Sequence, residues 1–422
     1  MDQTISIILP ALDDAEIFEQ QIQAILSQSR PPNEIIVVDS SSSDQVESLA
    51  QKFNHDITYF RAGRATRFDR YLKLVLDYIP WTKKFIDLKN YRAYPAESAN
   101  FGAERASGNI LALLDMATIP ESNWLQSSLE ELNSGYCIVF GRTRYLSSTL
   151  LQKLIHYSTF GVSPIESNPG TLIFKESYLE YKMLEGFRAG ADLEWRQRIK
   201  AHLRWRTTSK TVLNYRALPK SFLRFLEKMF IYQMHSAPLK IQMNSKDAAA
   251  FLFFIAFALL AARWNYLVGW ESQLYAPHVT KLFFLIVNIF FIQLIIIRRF
   301  GYKFFNRFLP STLNYYFILT MIVSLFFLSY RWNALAADWL ESSAFYVPHV
   351  TKIFIGMSML LLIGYRGLYF PIRSGISIQE ILPFRFILIG IVGALGDIAK
   401  LPGLMLGSIF SVFLVFSKKN EA

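Results

Sequence analysis

Cysteine is nearly missing from this sequence: Cys137 is the sole one among 422 residues. No internal disulfide framework can form, and a zinc site built on thiolates is excluded. Charged residues are sparse as well, at 18%, and they lean one way, 44 Lys+Arg against 33 Asp+Glu, for a net charge of +11. With 52% hydrophobic and 15% aromatic residues, the chain is too apolar for a disordered polymer. It is also too long for one small domain.

The average conceals two halves. Up to about Pro238, charged and apolar residues mix as in a soluble α/β protein; beyond Asp247, apolar runs alternate with short charged or aromatic loops. A spanning helix needs roughly 20 apolar residues. Thr312–Tyr330 meets that length without a charge, and Leu401–Ser417 comes close. Asp247–Ala262, Leu282–Ile297 and Ile353–Tyr365 are shorter, but flanking Lys and Arg can snorkel and extend them. Phe384–Ala399 is broken up by Gly390, Gly393 and Gly396 and carries Asp397, so it reads either as a span or as a re-entrant segment. The expectation is about six segments.

The loops set the orientation. Arg298–Phe308, the stretch from Tyr365 to Arg373, and Lys418–Lys419 are basic, whereas Trp264–Thr280 and Trp332–Thr351 carry Glu271, Asp338 and Glu341 with many aromatics. Basic loops face the cytoplasm, and the N-terminal half lies on that side. Met1–Thr4 runs into a strand pattern with neither a basic n-region nor an apolar h-region, so no cleaved leader is expected. A duplicated hairpin is visible: Arg263–Phe283 recurs as Arg331–Phe354, each containing RWN and PHVTK. Repeats of this kind build some transporters, but interface-belt aromatics suffice to explain the pattern.

In the first half, Thr4–Leu12 and Asn33–Ser40 are continuous apolar runs of the kind buried in parallel sheets. Ala15–Ser27 and Asp44–Phe53 have helical spacing; Ile57–Phe60 and Asn109–Asp115 are further strands. The alternation predicts a doubly wound parallel sheet. Ligands bind beyond the carboxyl ends of such strands, where Asp39 and Asp115 stand. Leu218–His235 places Phe222, Phe225, Leu226, Met229 and Phe230 on one helical face and Lys220, Arg224, Glu227 and Lys228 on the other. That face suits either the cytoplasmic membrane surface or the soluble domain. The organisation expected is therefore a soluble domain over 1–217, an amphipathic helix and linker over 218–246, and a membrane domain over 247–422.

Four ordered blocks carry a specific resemblance. VDSSSSD (Val38–Asp44), NFGAERASGNILALLDMATIPESNWL (Asn100–Leu125), GTLIFKESYLEYKMLEGF (Gly170–Phe187) and RAGADLEWRQRI (Arg188–Ile199) resemble glycosyltransferase family 2, inverting nucleotide-sugar transferases of the GT-A fold. The match spans roughly residues 4–215. The resemblance implies a Rossmann-like, mostly parallel sheet. It implies that Pro10 and Asp14 lie in the first nucleotide-contacting loop and that Asp39 hydrogen-bonds the nucleobase. Asp115 aligns with the first acid of a D-x-D metal motif, so that Mg²⁺ or Mn²⁺ is implied. Asp192 aligns with the general base that deprotonates the acceptor hydroxyl. This sequence departs from the family at Ala117, where the second metal-motif acid is missing, and at Ala191, where Glu commonly precedes the base. Asn100 reads as structural. The basic stretch Arg61–Lys73 reads as either a solvated face or a contact to lipid or donor diphosphate. Arg204-Trp205 reads as an ordinary strand.

Taken together, the expectation is a multi-pass inner or plasma membrane glycosyltransferase with a cytoplasmic catalytic domain, serving envelope or exopolysaccharide biosynthesis. Its partners would be a nucleotide-sugar donor, a lipid-linked or glycan acceptor and membrane lipids, with no nucleic acid. Two other classes compete: a nucleotide-sugar-binding protein weakened by the lost acids, and a lipid-linked glycan transporter.

Overall fold

The structure is a computed structural model that describes residues 3–63, 93–239, 241–242, 269, 271, 273 and 359–419. The first four segments of the expected membrane domain, apart from residues 359–365, lie outside the described residues, as do both copies of the duplicated hairpin, apart from residues 269, 271 and 273, and positions 64–73 of the basic stretch.

The apolar runs become the central strands, because only a strand covered on both faces can bury every side chain. β1 (Ile5–Ala11) pairs in parallel with β2 (Glu34–Asp39) on one side and β4 (Ile110–Leu113) on the other. α1 (Ala15–Leu26) and α2 (Gln45–Gln51) connect β1 to β2 and β2 to β3 (Thr58–Arg61). α3 (Pro95–Arg105) leads into β4. Gly102 permits that helix to press on β1, since a methyl there would sit 2.7 Å from the Ile8 side chain.

Beyond β4 the sheet becomes mixed. β5 (Thr118–Ile119), α4 (Trp124–Asn133), β6 (Ile138–Tyr145), α5 (Leu150–Thr159) and β7 (Ile165–Phe174) follow in the chain. The strand order is β3-β2-β1-β4-β7-β6 and then β9 (Leu213–Tyr215) and β5, with β8 (Trp205–Thr207) also on β6. β7 runs antiparallel to both β4 and β6, so the doubly wound parallel pattern holds for the first four strands and not beyond. The reason is local. β7 has the sequence IESNPGTLIF, with only its second half fully buried, and gives no continuous apolar run to mark its place. α6 (Lys175–Glu180) and α7 (Ala191–Ile199) pack over it, Trp195 of α7 meeting Phe140 and Tyr178. β9 (Leu213–Tyr215) ends this half of the chain's sheet.

α8 (Phe222–Ser236) then crosses to the remaining helices. Residues 359–373 are helical with one π turn, Tyr365–Tyr369, and α9 (Phe370–Arg373) as their last turn. α10 (Ile378–Ile381) is short. α11 (Arg385–Lys419) runs 35 residues without interruption, about 52 Å at 1.5 Å per residue. This corrects the sequence expectation of two separate segments, Phe384–Ala399 and Leu401–Ser417. The glycines do not break the helix; they are where neighbours touch it. A methyl at Gly390 would lie 2.5 Å from the Ile363 carbonyl, at Gly396 2.6 Å from the Phe225 ring, and at Gly403 2.3 Å from the Phe230 carbonyl. Small residues at such positions let helix backbones approach closely. Within α11, Arg385–Leu404 is long and apolar enough to cross a membrane, the one such helix among the described residues.

Phe225 and Met229 of α8 are buried with Ile155 of α5 and Val392 of α11. Protein therefore covers that part of the apolar face. Leu223, at 78% exposure, points elsewhere.

Candidate functional site

Parallel β1, β2 and β4 open their carboxyl ends on one edge. The chain winds outward from β1 to β2 and β3, then returns to place β4 on β1's other side. The crevice at such a switch point is where open α/β sheets bind ligands. Acids follow all three strands: Asp13 and Asp14 after β1, Asp39 at the end of β2, and Asp115 just past β4.

The loops are stapled together. Asp13 holds a left-handed conformation, φ 56, unusual for a residue other than glycine. Its N–H donates to Ser41 Oγ at 2.8 Å, and its Oδ1 accepts from the Ser42 amide at 2.8 Å and hydroxyl at 2.7 Å. The Leu12 amide donates to Asp14 Oδ2 at 2.8 Å. Pro10 lies past the last β1–β4 pair, Ile8 with Leu113, so its missing N–H costs nothing on the β4 side.

Asp14 and Asp115 lie near enough for the charge of one to act on the other. Burial, aided by the charges of Asp115, Asp13 and Asp39 and opposed by the Leu12 hydrogen bond, pushes the Asp14 carboxyl up to about 7. Burial also raises Asp115, while the Thr118 hydroxyl, the amides of Thr118 and Ala117, and the Lys228 ammonium oppose the shift. The Thr118 hydroxyl donates to Asp115 Oδ1 at 2.6 Å.

Asp39 is fully buried and its carboxylate is already well supplied. The Ser41 amide (2.8 Å) and hydroxyl (2.5 Å) donate to Oδ1; the Tyr59 hydroxyl (2.8 Å) and Arg61 guanidinium (2.9 Å) donate to Oδ2. Four donors match the roughly four lone-pair sites of a carboxylate. Arg61, the first residue of the basic stretch, is spent on this network, also donating to the Ser41 carbonyl at 2.9 Å and lying 3.7 Å from Asp44 and Glu47.

Asp192 stands outside this cluster, in the first turn of α7. Its loop is held by two other elements: the Gly186 amide donates to Glu97 of α3 at 3.1 Å, and the Arg188 amide donates to His235 Nδ1 of α8 at 3.2 Å. Asn100 is buried and structural. It accepts from the Tyr178 hydroxyl and the Met183 amide and donates to the Met183 carbonyl and Glu185. Lys228, two turns before His235, belongs to the Asp115 side. One helix thus meets the loop before Asp192 through His235 and β9 through Lys228, two residues about 10 Å apart along its axis. Nothing in the sequence singles out Asp13 or His235, and spacing puts Lys228 only on the charged face of its helix; the position of α8 against β9 shows what that face meets.

The donor set suits a hard divalent cation, since carboxylate oxygens are its preferred ligands and clustered like charges favour an incoming positive one. Among the described residues no group of three metal-binding side chains occurs. Asp115 would hold the ion with substrate phosphates completing the shell, in keeping with Ala117 in place of a second acid.

Part of the chain is similar to known proteins. Residues 6–69 match the model of the family described as Glycosyl transferase family 2. The chain is 27% identical over 144 residues to glycosyltransferase AglE of Haloferax volcanii, covering 33% of this chain and 40% of that protein. It is 28% identical over 137 residues to the GalNAc(5)-diNAcBac-PP-undecaprenol beta-1,3-glucosyltransferase of Campylobacter jejuni, covering 32% and 37%. The alignments thus span about two-fifths of each relative's length. Among solved structures, the mannosyltransferase PcManGT of Pyrobaculum calidifontis, in complex with GDP-Man and Mn²⁺, has 15% identity and a TM-score of 0.38, covering 81% of this chain and 89% of that one. That likeness is too loose to bear on the site.

Proposed function

We propose that the chain is a glycosyltransferase with a GT-A domain, moving a sugar with inversion from a nucleoside-diphosphate donor to a lipid-linked acceptor at the cytoplasmic face of a membrane. The observation that supports this most is the convergence of Asp13, Asp14, Asp39 and Asp115 at the switch point of a sheet whose first strands match a glycosyltransferase family model. The lipid-linked acceptor rests on the Campylobacter relative's acceptor and on the apolar helix Arg385–Leu404. Multi-pass anchoring and a role in polysaccharide assembly extend the same reading.

The residues divide the work. Asp39 keeps the Ser40–Ser43 turn and Arg61 in place for the nucleotide; a direct bond to the base would replace one of its present donors. Asp14, Pro10 and Asp115 line the diphosphate side. A divalent cation at Asp115 would stabilise the departing diphosphate as a Lewis acid. Asp192 takes the proton from the acceptor hydroxyl as that oxygen bonds the anomeric carbon and the bond from that carbon to the diphosphate oxygen breaks. No described residue donates to the Asp192 carboxylate, which leaves its oxygens available for that proton.

The test is sugar transfer by the purified full-length protein and by Asp192→Asn. Transfer by wild type that falls by about 10²–10⁴-fold in the variant, with donor affinity kept, supports the reading. Equal rates in both would defeat the assignment of the base. Donor binding without turnover in either would favour a binding protein, the reading that Ala117 and Ala191 suggest.

A further inference from the structure

Lys228 is the feature that the proposed reaction leaves unused. Its Nζ donates to the Tyr215 hydroxyl at 3.3 Å and lies 5.6 Å and 5.4 Å from the centroids of the Tyr215 and Tyr232 rings. Tyr215 is the residue of β9 paired with Thr118 of β5, and Thr118 in turn donates to Asp115. The neighbouring Arg216 amide donates to the Ala117 carbonyl at 3.0 Å, tying β9 to the position where the second metal-motif acid is absent. The ammonium is thus linked to Asp115 through Tyr215, its strand partner Thr118 and the Thr118 hydroxyl, and its charge is felt at Asp115. Tyrosine faces hold a cation well without neutralising it. An ammonium has three N–H donors; the Tyr215 hydroxyl engages one.

We propose, resting on the transferase reading above, that Lys228 binds the diphosphate of the nucleotide donor and supplies positive charge that the one-acid metal motif supplies only in part. The leaving diphosphate gains negative charge as its bond to the sugar breaks, and a fixed cation in a desolvated cleft stabilises that charge. A free N–H of the ammonium reaches a phosphate oxygen as a charge-assisted hydrogen bond. Because Lys228 rides on α8, which lies along α11 through Gly396, Gly403 and Gly407, its position depends on the apolar helix staying docked. Lys228 is then a donor-binding residue delivered from the membrane side of the molecule.

The experiment is calorimetric titration of the full-length protein in detergent with UDP and GDP, and with uridine and guanosine as phosphate-free arms. For whichever diphosphate the wild type binds, Lys228→Met is expected to weaken affinity by about 10- to 100-fold. Affinity for the matching nucleoside is expected to be unchanged, and Lys228→Arg to recover most of the loss. Lys228→Gln serves the same purpose if the methionine variant melts early. Diphosphate affinity unchanged in Lys228→Met, or a loss shared equally by nucleoside and diphosphate, overturns the proposal while leaving the transferase reading in place. Wild type that binds neither UDP nor GDP removes the transferase reading and this proposal together.

Discussion

Asp14 sets a pH dependence that can be read from one residue. Its carboxyl ionises near 7 in the folded protein and near 3.8 when unfolded, so between those values the folded state holds a proton that the unfolded state has released. Stability is therefore highest in acid and declines as pH rises from about 4 to about 7. Because the side chain is partly solvent-screened, the loss is discounted to about 1–2 kcal/mol. Asp14→Asn should flatten that slope, read as melting temperature against pH in cation-free buffer. Asp39 matters instead through the donors it holds. Replacing it with Asn leaves the Arg61 charge half-buried without its principal partner, at a cost of about 3–5 kcal/mol in denaturant unfolding. The motif VDSSSSD announced Asp39 as an acid at a strand end, and that much was legible. Nothing local announced that Tyr59 and Arg61, two positions apart on β3, would saturate it. Pairing between strands distant in sequence decides that, as it decides that Tyr215, which holds Lys228, lies opposite Thr118.

The helices depend on glycine. A methyl at Gly403 would sit 2.3 Å from the Phe230 carbonyl and one at Gly407 2.1 Å from that of Met234. Backbone cannot step aside as a side chain would, so Gly403→Ala or Gly407→Ala should push α8 off α11 at a cost of about 1–3 kcal/mol. The measurable consequence is greater proteolysis between β9 and α8 and weaker donor binding. The Arg366–Asp397 pair makes a second joint. Arg366 donates to both Asp397 oxygens, at 2.6 and 2.7 Å, and to the Ser158 carbonyl of α5 at 3.1 Å; Lys400 adds a contact at 2.8 Å. Arg366→Leu removes one side of a largely buried pair and should lower stability by about 3–5 kcal/mol, and restoring it by also changing Asp397→Leu would confirm the coupling. Helical spacing in Leu218–His235 was legible, while the surface it faces was not, because an apolar stripe has the same pattern against lipid or protein. The glycine run misled for the same reason: a residue without a side chain marks a break or a close contact, and only the partner helix tells which.

For the molecule as a whole, the first four strands and their helices follow from apolar runs and spacing, since burial on both faces leaves no other pattern. The antiparallel insertion of β7 was hidden because its first half is only partly buried and its direction depends on neighbours far along the chain. The whole-molecule picture joins a carboxyl-edge acid cluster to a helix, α11, through α8. It predicts that the full chain stays with membranes through an alkaline carbonate wash and that donor binding survives extraction in mild detergent. Central to this picture is that the acids after β1, β2 and β4 form a nucleotide-sugar site. Thermal unfolding of the purified protein with a panel of UDP- and GDP-sugars and Mn²⁺ tests this most directly, because a ligand that binds only the folded state raises the melting temperature. At least one nucleotide sugar should raise it for wild type, and Asp115→Asn should abolish the rise. No rise with any donor, or an equal rise in Asp115→Asn, would contradict the placement of the site.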